Sequence, residues 1–202
     1  MIKNVVFDLG GVIVDYNPAK VIKPMFPEED ADFILGNLFF SKEWSEIDRG
    51  TLTPIEGFEK YRSSLPPDSF SRIINVIENW NEYMPPFEDT YELIVKLKAV
   101  GKRIYLLSNI PPYIRKMIDT VPALKLFDGY VASSDIKILK PEKEIYGHLL
   151  EKFNLKADEC FFIDDTLENV EAARNLGIHA HHFANHDMEA LENALRQNGV
   201  EI

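Results

Sequence analysis

The stretch Val5-Val6-Phe7-Asp8-Leu9-Gly10-Gly11 decides how the rest of the chain is read. A short apolar run, rich in β-branched residues, ends on a carboxylate and passes into a glycine turn. The same grammar returns along the chain. Arg103-Ile104-Tyr105-Leu106-Leu107 leads into Ser108-Asn109, and Gly129-Tyr130-Val131-Ala132 leads into Ser133-Ser134-Asp135. Cys160-Phe161-Phe162-Ile163 leads into Asp164-Asp165, and Ala180-His181-His182-Phe183 closes the series. Continuous apolar runs of this length suit strands buried on both faces of a parallel sheet.

Helical patterns separate the runs. Asp89-Thr90-Tyr91-Glu92 predicts an N-cap, with Gly101 as the stop. Pro141 suits a first helical turn, after which Ile145, Leu149 and Leu150 share a face. Thr166 to Leu176 stops at Gly177, and Asp187 to Gln197 predicts a terminal amphipathic helix. Strand and helix in alternation predict an α/β fold: a Rossmann-like parallel sheet flanked by helices.

The interval between Gly11 and Lys102 is too long for one crossover helix. Thr53-Pro54-Ile55-Glu56 is a capping box with proline at the first helical position. Asp68 predicts the cap of a helix carrying Phe70, Ile73, Ile74, Ile77 and Trp80. Glu28-Glu29-Asp30 suits an acidic first turn. Pro85-Pro86 ends the segment. Residues 16–84 therefore read as a helical insertion, leaving 1–15 and 85–202 as the α/β core.

The chain's 202 residues, 46% of them hydrophobic and 27% charged, suffice for one domain with an accessory piece. Lys and Arg number 22 against 33 Asp and Glu, a net charge of −11. Without a clustered basic surface, neither nucleic acid nor an anionic membrane is an expected partner. Any anionic substrate must find its positive partners locally, in a metal, a lysine or a helix N-terminus. Cys160 is the single cysteine, so no intrachain disulfide forms. That usage, with no apolar stretch near the ~20 residues of a membrane helix and too short an apolar start for a signal peptide, predicts a cytoplasmic protein.

Ligands of open α/β sheets bind outside the carboxyl ends of the strands. There this sequence places Asp8, Ser108-Asn109, Lys140 and Asp164-Asp165. Each alone reads as a helix cap or a surface residue. Together they form a chemical set. Close carboxylates repel unless a cation lies between them, and hard oxygen ligands suit Mg²⁺. A lysine and a hydroxyl can hold phosphate oxygens while a carboxylate attacks phosphorus.

Four ordered motifs carry a family resemblance: Phe7-Asp8-Leu9-Gly10-Gly11-Val12-Ile13-Val14-Asp15, Leu106-Leu107-Ser108-Asn109, Lys140-Pro141, and Phe162-Ile163-Asp164-Asp165-Thr166-Leu167-Glu168-Asn169. They resemble those of the haloacid dehalogenase superfamily, and the insertion resembles the helical cap of its cap-type-one members. The first motif is most similar to the branch containing α-D-glucose-1-phosphate phosphatases. The resemblance implies a Mg²⁺-dependent hydrolase of a small phosphorylated metabolite, a sugar phosphate for instance. It makes Asp8 the nucleophile and a metal ligand. Asp165 becomes a metal ligand, and Asp164 a second ligand or its outer partner. Ser108 and Asn109 would orient the phosphoryl group, Lys140 would hold it against Asp8, and Asn169 would support the last loop.

One position departs from the pattern. Where such phosphatases carry a second aspartate as general acid, this chain has Gly10. Its backbone carbonyl can still serve a metal, but no proton donor remains. General acid catalysis typically contributes ~10²–10⁴-fold. Either the leaving group departs unaided or another group supplies the proton, and the spacing of Asp15 gives it no claim. The gap keeps two alternatives open: a metal-independent 2-haloacid dehalogenase, whose halide needs no proton, and a catalytically weak binding protein.

The remaining features read as structural. Strand alternation sends His182 to the face opposite His179 and His181, against a histidine metal cluster. Phe39, Phe40, Trp44 and Trp80 read as the apolar core of the insertion, with Leu38-Phe39-Phe40 as the alternative lining of a substrate entrance.

Overall fold

A computed structural model describes residues 1–39 and 41–202. Phe40, one of the aromatic residues assigned above to the insertion's core, lies outside the described residues. Five parallel strands form one sheet in the order β3-β2-β1-β4-β5. They are β1 (Asn4–Phe7), β2 (Arg103–Ser108), β3 (Gly129–Ala132), β4 (Cys160–Asp164) and β5 (His179–His182). The last begins one residue before the apolar run that predicted it. The chain runs outward from β1 to β3 and then crosses back to β4 on the other side of β1. That reversal puts the topological switch point beside the central strand.

Side chains alternate between the two faces. Val5, Phe7, Ile104, Leu106, Phe161 and Ile163 face one apolar cluster, and Val6, Tyr105, Leu107 and Phe162 face another. The first receives α6 (Glu88–Ala99), α7 (Ile114–Thr120) and α11 (Met188–Gln197) through Leu97, Met117, Leu191 and Leu195. The second receives α9 (Lys143–Lys152) and α10 (Leu167–Asn175) through Ile145, Tyr146, Leu149 and Ala173. With both faces covered, the central strands are buried along most of their length, which is why they lack polar alternation.

Between β1 and α6 lie α1 (Pro18–Met25), α2 (Glu28–Asn37), α3 (Lys42–Asp48), α4 (Pro54–Phe58) and α5 (Pro67–Glu78). Their apolar residues, including Ile22, Ile34, Phe58, Ile73 and Trp80, continue the first cluster. The two connecting strands of chain run side by side: Asp15 N donates to Pro85 O at 2.9 Å and Phe87 N to Ile13 O at 2.9 Å. Phe39 packs at 4.7 Å from Trp44 and 5.1 Å from Trp80, in keeping with the core reading.

Local end signals held in part. The Thr53 capping box closes in both directions, Glu56 N donating to Thr53 Oγ1 at 3.2 Å and Thr53 N to Glu56 Oε2 at 2.8 Å. Gly101 and Lys102 return hydrogen bonds to Lys98 O and Leu97 O at 3.0 Å, so α6 ends at a glycine as expected. Asp187 caps α11 by accepting from Ala190 N, whereas three other starts shift. Phe87, not Asp89, precedes α6; Asp89 lies in its first turn, where it accepts from Thr90 N and meets His186. Pro66, not Asp68, precedes α5, because Pro67 already supplies the first helical φ. Pro141 lies ahead of α9, joined to Lys140 by a cis peptide bond, and α8 (Ser133–Ile136) is a single short turn.

Candidate active site

Asp8 leaves the sheet at the carboxyl end of β1, its backbone N–H still donating to Ile163 O at 2.9 Å. Its Oδ1 accepts from Leu9 N at 2.7 Å and pairs with Lys140 Nζ at 2.8 Å. Oδ2 accepts no hydrogen bond among the described residues, so one oxygen is anchored while the other can attack. Gly11 makes the close approach of the fourth motif feasible. Its φ is +71°, and a Cβ there would meet Asp165 Cγ at 2.8 Å and its carboxylate oxygen closer still.

Lys140 is the electrostatic centre. Its ammonium also bonds to Asp164 Oδ2 at 2.7 Å, with side chains only 1% and 0% exposed. Burial works against the charge of Lys140, but Asp164 and Asp8 outweigh it and hold the ammonium above its ordinary range. Asp164 is saturated: Thr166 N donates to Oδ1 at 2.8 Å, and Asn169 Nδ2 reaches both oxygens at 3.1 Å. The supporting position expected of Asn169 is therefore occupied as a bond to Asp164. The Asn109 side chain is bonded to the main chain of Lys140. Its Nδ2 donates to Lys140 O at 3.0 Å and its Oδ1 accepts from Lys140 N at 2.8 Å, so the amide fixes the lysine's main chain. Ser108 is buried at the end of β2 and lines the same cavity as Asp8.

Oxygen atoms of Asp8, Asp164 and Asp165 all lie within 4.8 Å of one another. One ammonium among three carboxylates leaves excess negative charge, and it registers in the acidity of Asp8 and Asp165. Burial pushes Asp8 up to about 7, with Asp164 and Asp165 adding and Lys140 opposing. Burial and then Asp164 likewise raise Asp165. The donor set is all hard oxygen, with Gly10 also lining the cavity, and it fits Mg²⁺, which keeps part of its water shell and binds through one or two carboxylates. Asp8 and Asp165 would hold the ion; bound there, it would neutralise substrate phosphate charge. Asp164, already committed to Lys140 and Asn169, is the natural outer partner.

The cavity above these groups has a volume of about 300 Å³. The core supplies Asp8, Ser108, Lys140 and Asp165; the segment after β1 supplies Tyr16, Trp44, Asp48, Trp80 and Met84. Trp44 and Trp80 thus serve both the apolar core and the cavity wall. Sequence reasoning missed Tyr16, Asp48 and Tyr113, for nothing in Ser45-Glu46-Ile47-Asp48-Arg49 distinguishes Asp48 from a surface carboxylate. The histidines of β5 contribute no metal cluster among the described residues; His182 Nε2 lies 2.9 Å from Asp165 O.

A family model described as haloacid dehalogenase-like hydrolase matches residues 2–177. The chain belongs to this family. It is an enzyme of the haloacid dehalogenase-like hydrolases, and phosphatases stand among its relatives. It is 30% identical over 177 residues to the sesquiterpene phosphatase astK of Aspergillus oryzae, covering 87% of each chain. It is 26% identical over 190 residues to a D-ribitol-5-phosphate phosphatase of Bacteroides thetaiotaomicron, covering 88% of this chain and 89% of that one. A crystal structure of the haloacid dehalogenase family enzyme bt-2542 from the same bacterium, in complex with magnesium and inorganic phosphate, superposes with a TM-score of 0.68 at 25% identity. That superposition covers 95% of this chain and 99% of that one. No helix among the described residues is long and apolar enough to cross a membrane.

Proposed function

We propose that this haloacid dehalogenase-like hydrolase is a Mg²⁺-dependent phosphatase of small phosphorylated metabolites, sugar or polyol phosphates included. Asp8 attacks phosphorus to form an aspartyl phosphate, which water then hydrolyses. Ser108 and the Lys140 ammonium hold the phosphoryl oxygens, while Asn109 and Asp164 hold Lys140. Asp8 and Asp165 carry the metal, with the Gly10 carbonyl as a further ligand and Asp164 behind them. Residues 16–84 act as a cap over residues 1–15 and 85–202.

One observation carries this reading: a lysine bonded to two buried carboxylates, with a third carboxylate alongside, at the carboxyl ends of adjacent strands. Uncompensated clustering of that kind is costly, and a divalent cation shared with a phosphate relieves it. The phosphatases among the relatives, and the magnesium and phosphate bound by bt-2542, point the same way. Gly10 favours a second reading, halide displacement from a 2-haloacid, because a halide leaves without a proton. That chemistry gives Asp165 nothing to do.

The test measures phosphate release from α-glucose 1-phosphate, D-ribitol 5-phosphate, a sesquiterpenyl phosphate, acetyl phosphate and 4-nitrophenyl phosphate, with Mg²⁺ and with EDTA. Halide release from 2-chloropropionate runs beside it. We expect EDTA-sensitive phosphate release, abolished by Asp8→Asn in a folded protein. EDTA-resistant halide release, or residual turnover of Asp8→Asn above a few per cent, would overturn the assignment.

A further inference from the structure

Asp48 lines the cavity in which Gly10 leaves the usual donor position empty of a carboxyl. It is the last residue of α3, far from the core motifs in sequence, yet it lines the same cavity as Asp8, Ser108 and Lys140. Its main chain is pinned across the seam: Ser133 Oγ donates to Asp48 O at 2.6 Å. The next residue, Arg49, bonds to Glu142 at 2.7 and 3.3 Å and to Lys137 O at 3.2 Å, and Lys137 Nζ reaches back to Gly50 O. The structural work of this turn is done by backbone and by Arg49. Asp48 lines the cavity, and its carboxyl has a hydrogen bond with Trp44 but no ion-pair partner among the described residues.

We propose that Asp48 is the general acid of the phosphoryl transfer, delivering from the helical segment the proton that position 10 cannot. The proposal rests on the phosphatase reading above. In-line displacement puts the leaving oxygen on the side of phosphorus away from the nucleophile. Asp8 sits on the core floor, so that oxygen points toward the wall to which the segment after β1 contributes Tyr16, Trp44, Asp48, Trp80 and Met84. As the Asp8–phosphorus bond forms and the phosphorus–oxygen ester bond breaks, the Asp48 proton passes to the leaving alkoxide, which departs as an alcohol. Water then attacks phosphorus, the Asp48 carboxylate takes its proton, and the Asp8–phosphorus bond breaks to give inorganic phosphate. Both side chains return to their starting states.

The other donors in reach fit less well. Asp15 is absent from the cavity lining and pairs with Lys20 at 2.5 Å. Burial, with Asp48 adding, drives the Tyr16 and Tyr113 hydroxyls above the ordinary phenol range, making them weaker acids. Asp48 faces the charges of Asp8 and Lys140 and the hydroxyls of Tyr16 and Tyr113. Burial first, then Asp8, raises it to about 8 against the pull of Lys140 and a hydrogen bond with Trp44, the direction a proton donor requires. A side chain at position 10 would also crowd the wall: a Cβ on Gly10 would meet Tyr16 Cβ at 3.2 Å, so Tyr16 would have to give by a few tenths of an ångström. A built-in acid implies a leaving group that needs one, an alkyl ester and not an acyl phosphate or a halide.

The test compares kcat/KM, which reports the phosphorylation step, for 4-nitrophenyl phosphate, phenyl phosphate and benzyl phosphate with wild type, Asp48→Asn and Asp48→Glu. These substrates are similar in size and differ in how much the leaving oxygen needs a proton. Asp48→Asn should lose ~10²–10⁴-fold on the phenyl and benzyl esters and far less on 4-nitrophenyl phosphate, whose turnover also reports a folded site. Asp48→Glu should recover part of the loss. An equal loss across the series, or none, overturns Asp48 as the acid and leaves the phosphatase intact. Failure of wild type on every ester overturns both.

Discussion

The floor and the roof of the cavity are built by different rules. On the floor, Asp8 and Asp164 stand at the ends of strands whose register is fixed by neighbours on both sides, Lys140 reaches them from the loop before α9, and their bonds of 2.7 and 2.8 Å close inside the core. On the roof, Asp48 reaches the same space from α3, held by a seam of contacts to Ser133, Lys137 and Glu142. The floor is preorganised by the fold itself, whereas the roof depends on one packed arrangement of α3 against the core. On the proposed mechanism, stabilising the phosphoryl group falls to the floor and proton delivery to the roof.

If that division holds, the largest loss short of removing Asp8 follows from the floor's lysine. Lys140→Ala should lower kcat about 10²–10³-fold for every ester, whatever its leaving group, as expected for loss of a preorganised electrostatic contact. It should also destabilise the protein by about 3–5 kcal/mol, because Asp8 and Asp164 lose the cation between them. Leaving-group-dependent kinetics for Lys140→Ala would erase the distinction between floor and roof.

Next in size is the response to pH and metal. Asp8, Asp165 and Asp48 all hold protons more tightly when folded than a free carboxylate at about 4 does. The folded state therefore binds more protons than the unfolded chain above that range. Stability of the metal-free protein falls as pH rises from about 4 to about 8, the upper end set by Asp48. Mg²⁺ should reverse the loss where Asp8 and Asp165 are ionised, adding about 2.7 kcal/mol when present at 100 times its Kd. Thermal unfolding with EDTA and with Mg²⁺ between pH 5 and 8.5 checks both signs. A Tm that rises with pH in EDTA would contradict the raised carboxylates.

How much of this was legible in the sequence also divides along the floor and the roof. Asp8 and Asp164-Asp165 interrupt apolar strands, and a carboxylate ending a buried run is a conspicuous local signal. The sheet and its helices followed from the same runs. Asp48 has no local signal at all. Its neighbours Ser133, Tyr16 and Tyr113 are brought to it only by the folded chain. Asn109 was visible, but its side chain bonds to Lys140's main chain, a partner that spacing does not reveal. The displaced helix starts at Asp68 and Asp89 have a nearer cause: a proline in one case and a competing contact with His186 in the other took precedence over a side-chain cap.

The smallest expected effect belongs to the ion pair at the end of α3. Arg49 is a quarter exposed and its partner Glu142 is 40% exposed, so their bidentate pair contributes only about 0.2–1 kcal/mol to stability. Arg49→Ala should therefore change Tm little. Asp48 would still be tethered through Ser133, but α3 would spend more of its time misplaced. The phenyl phosphate kcat/KM should fall by less than about tenfold, with 4-nitrophenyl phosphate almost spared, a faint copy of the Asp48→Asn pattern. A uniform fall for both esters would instead place Arg49 in substrate binding. A fall as deep as that of Asp48→Asn would mean the ion pair, and not the packed seam, holds the roof in place.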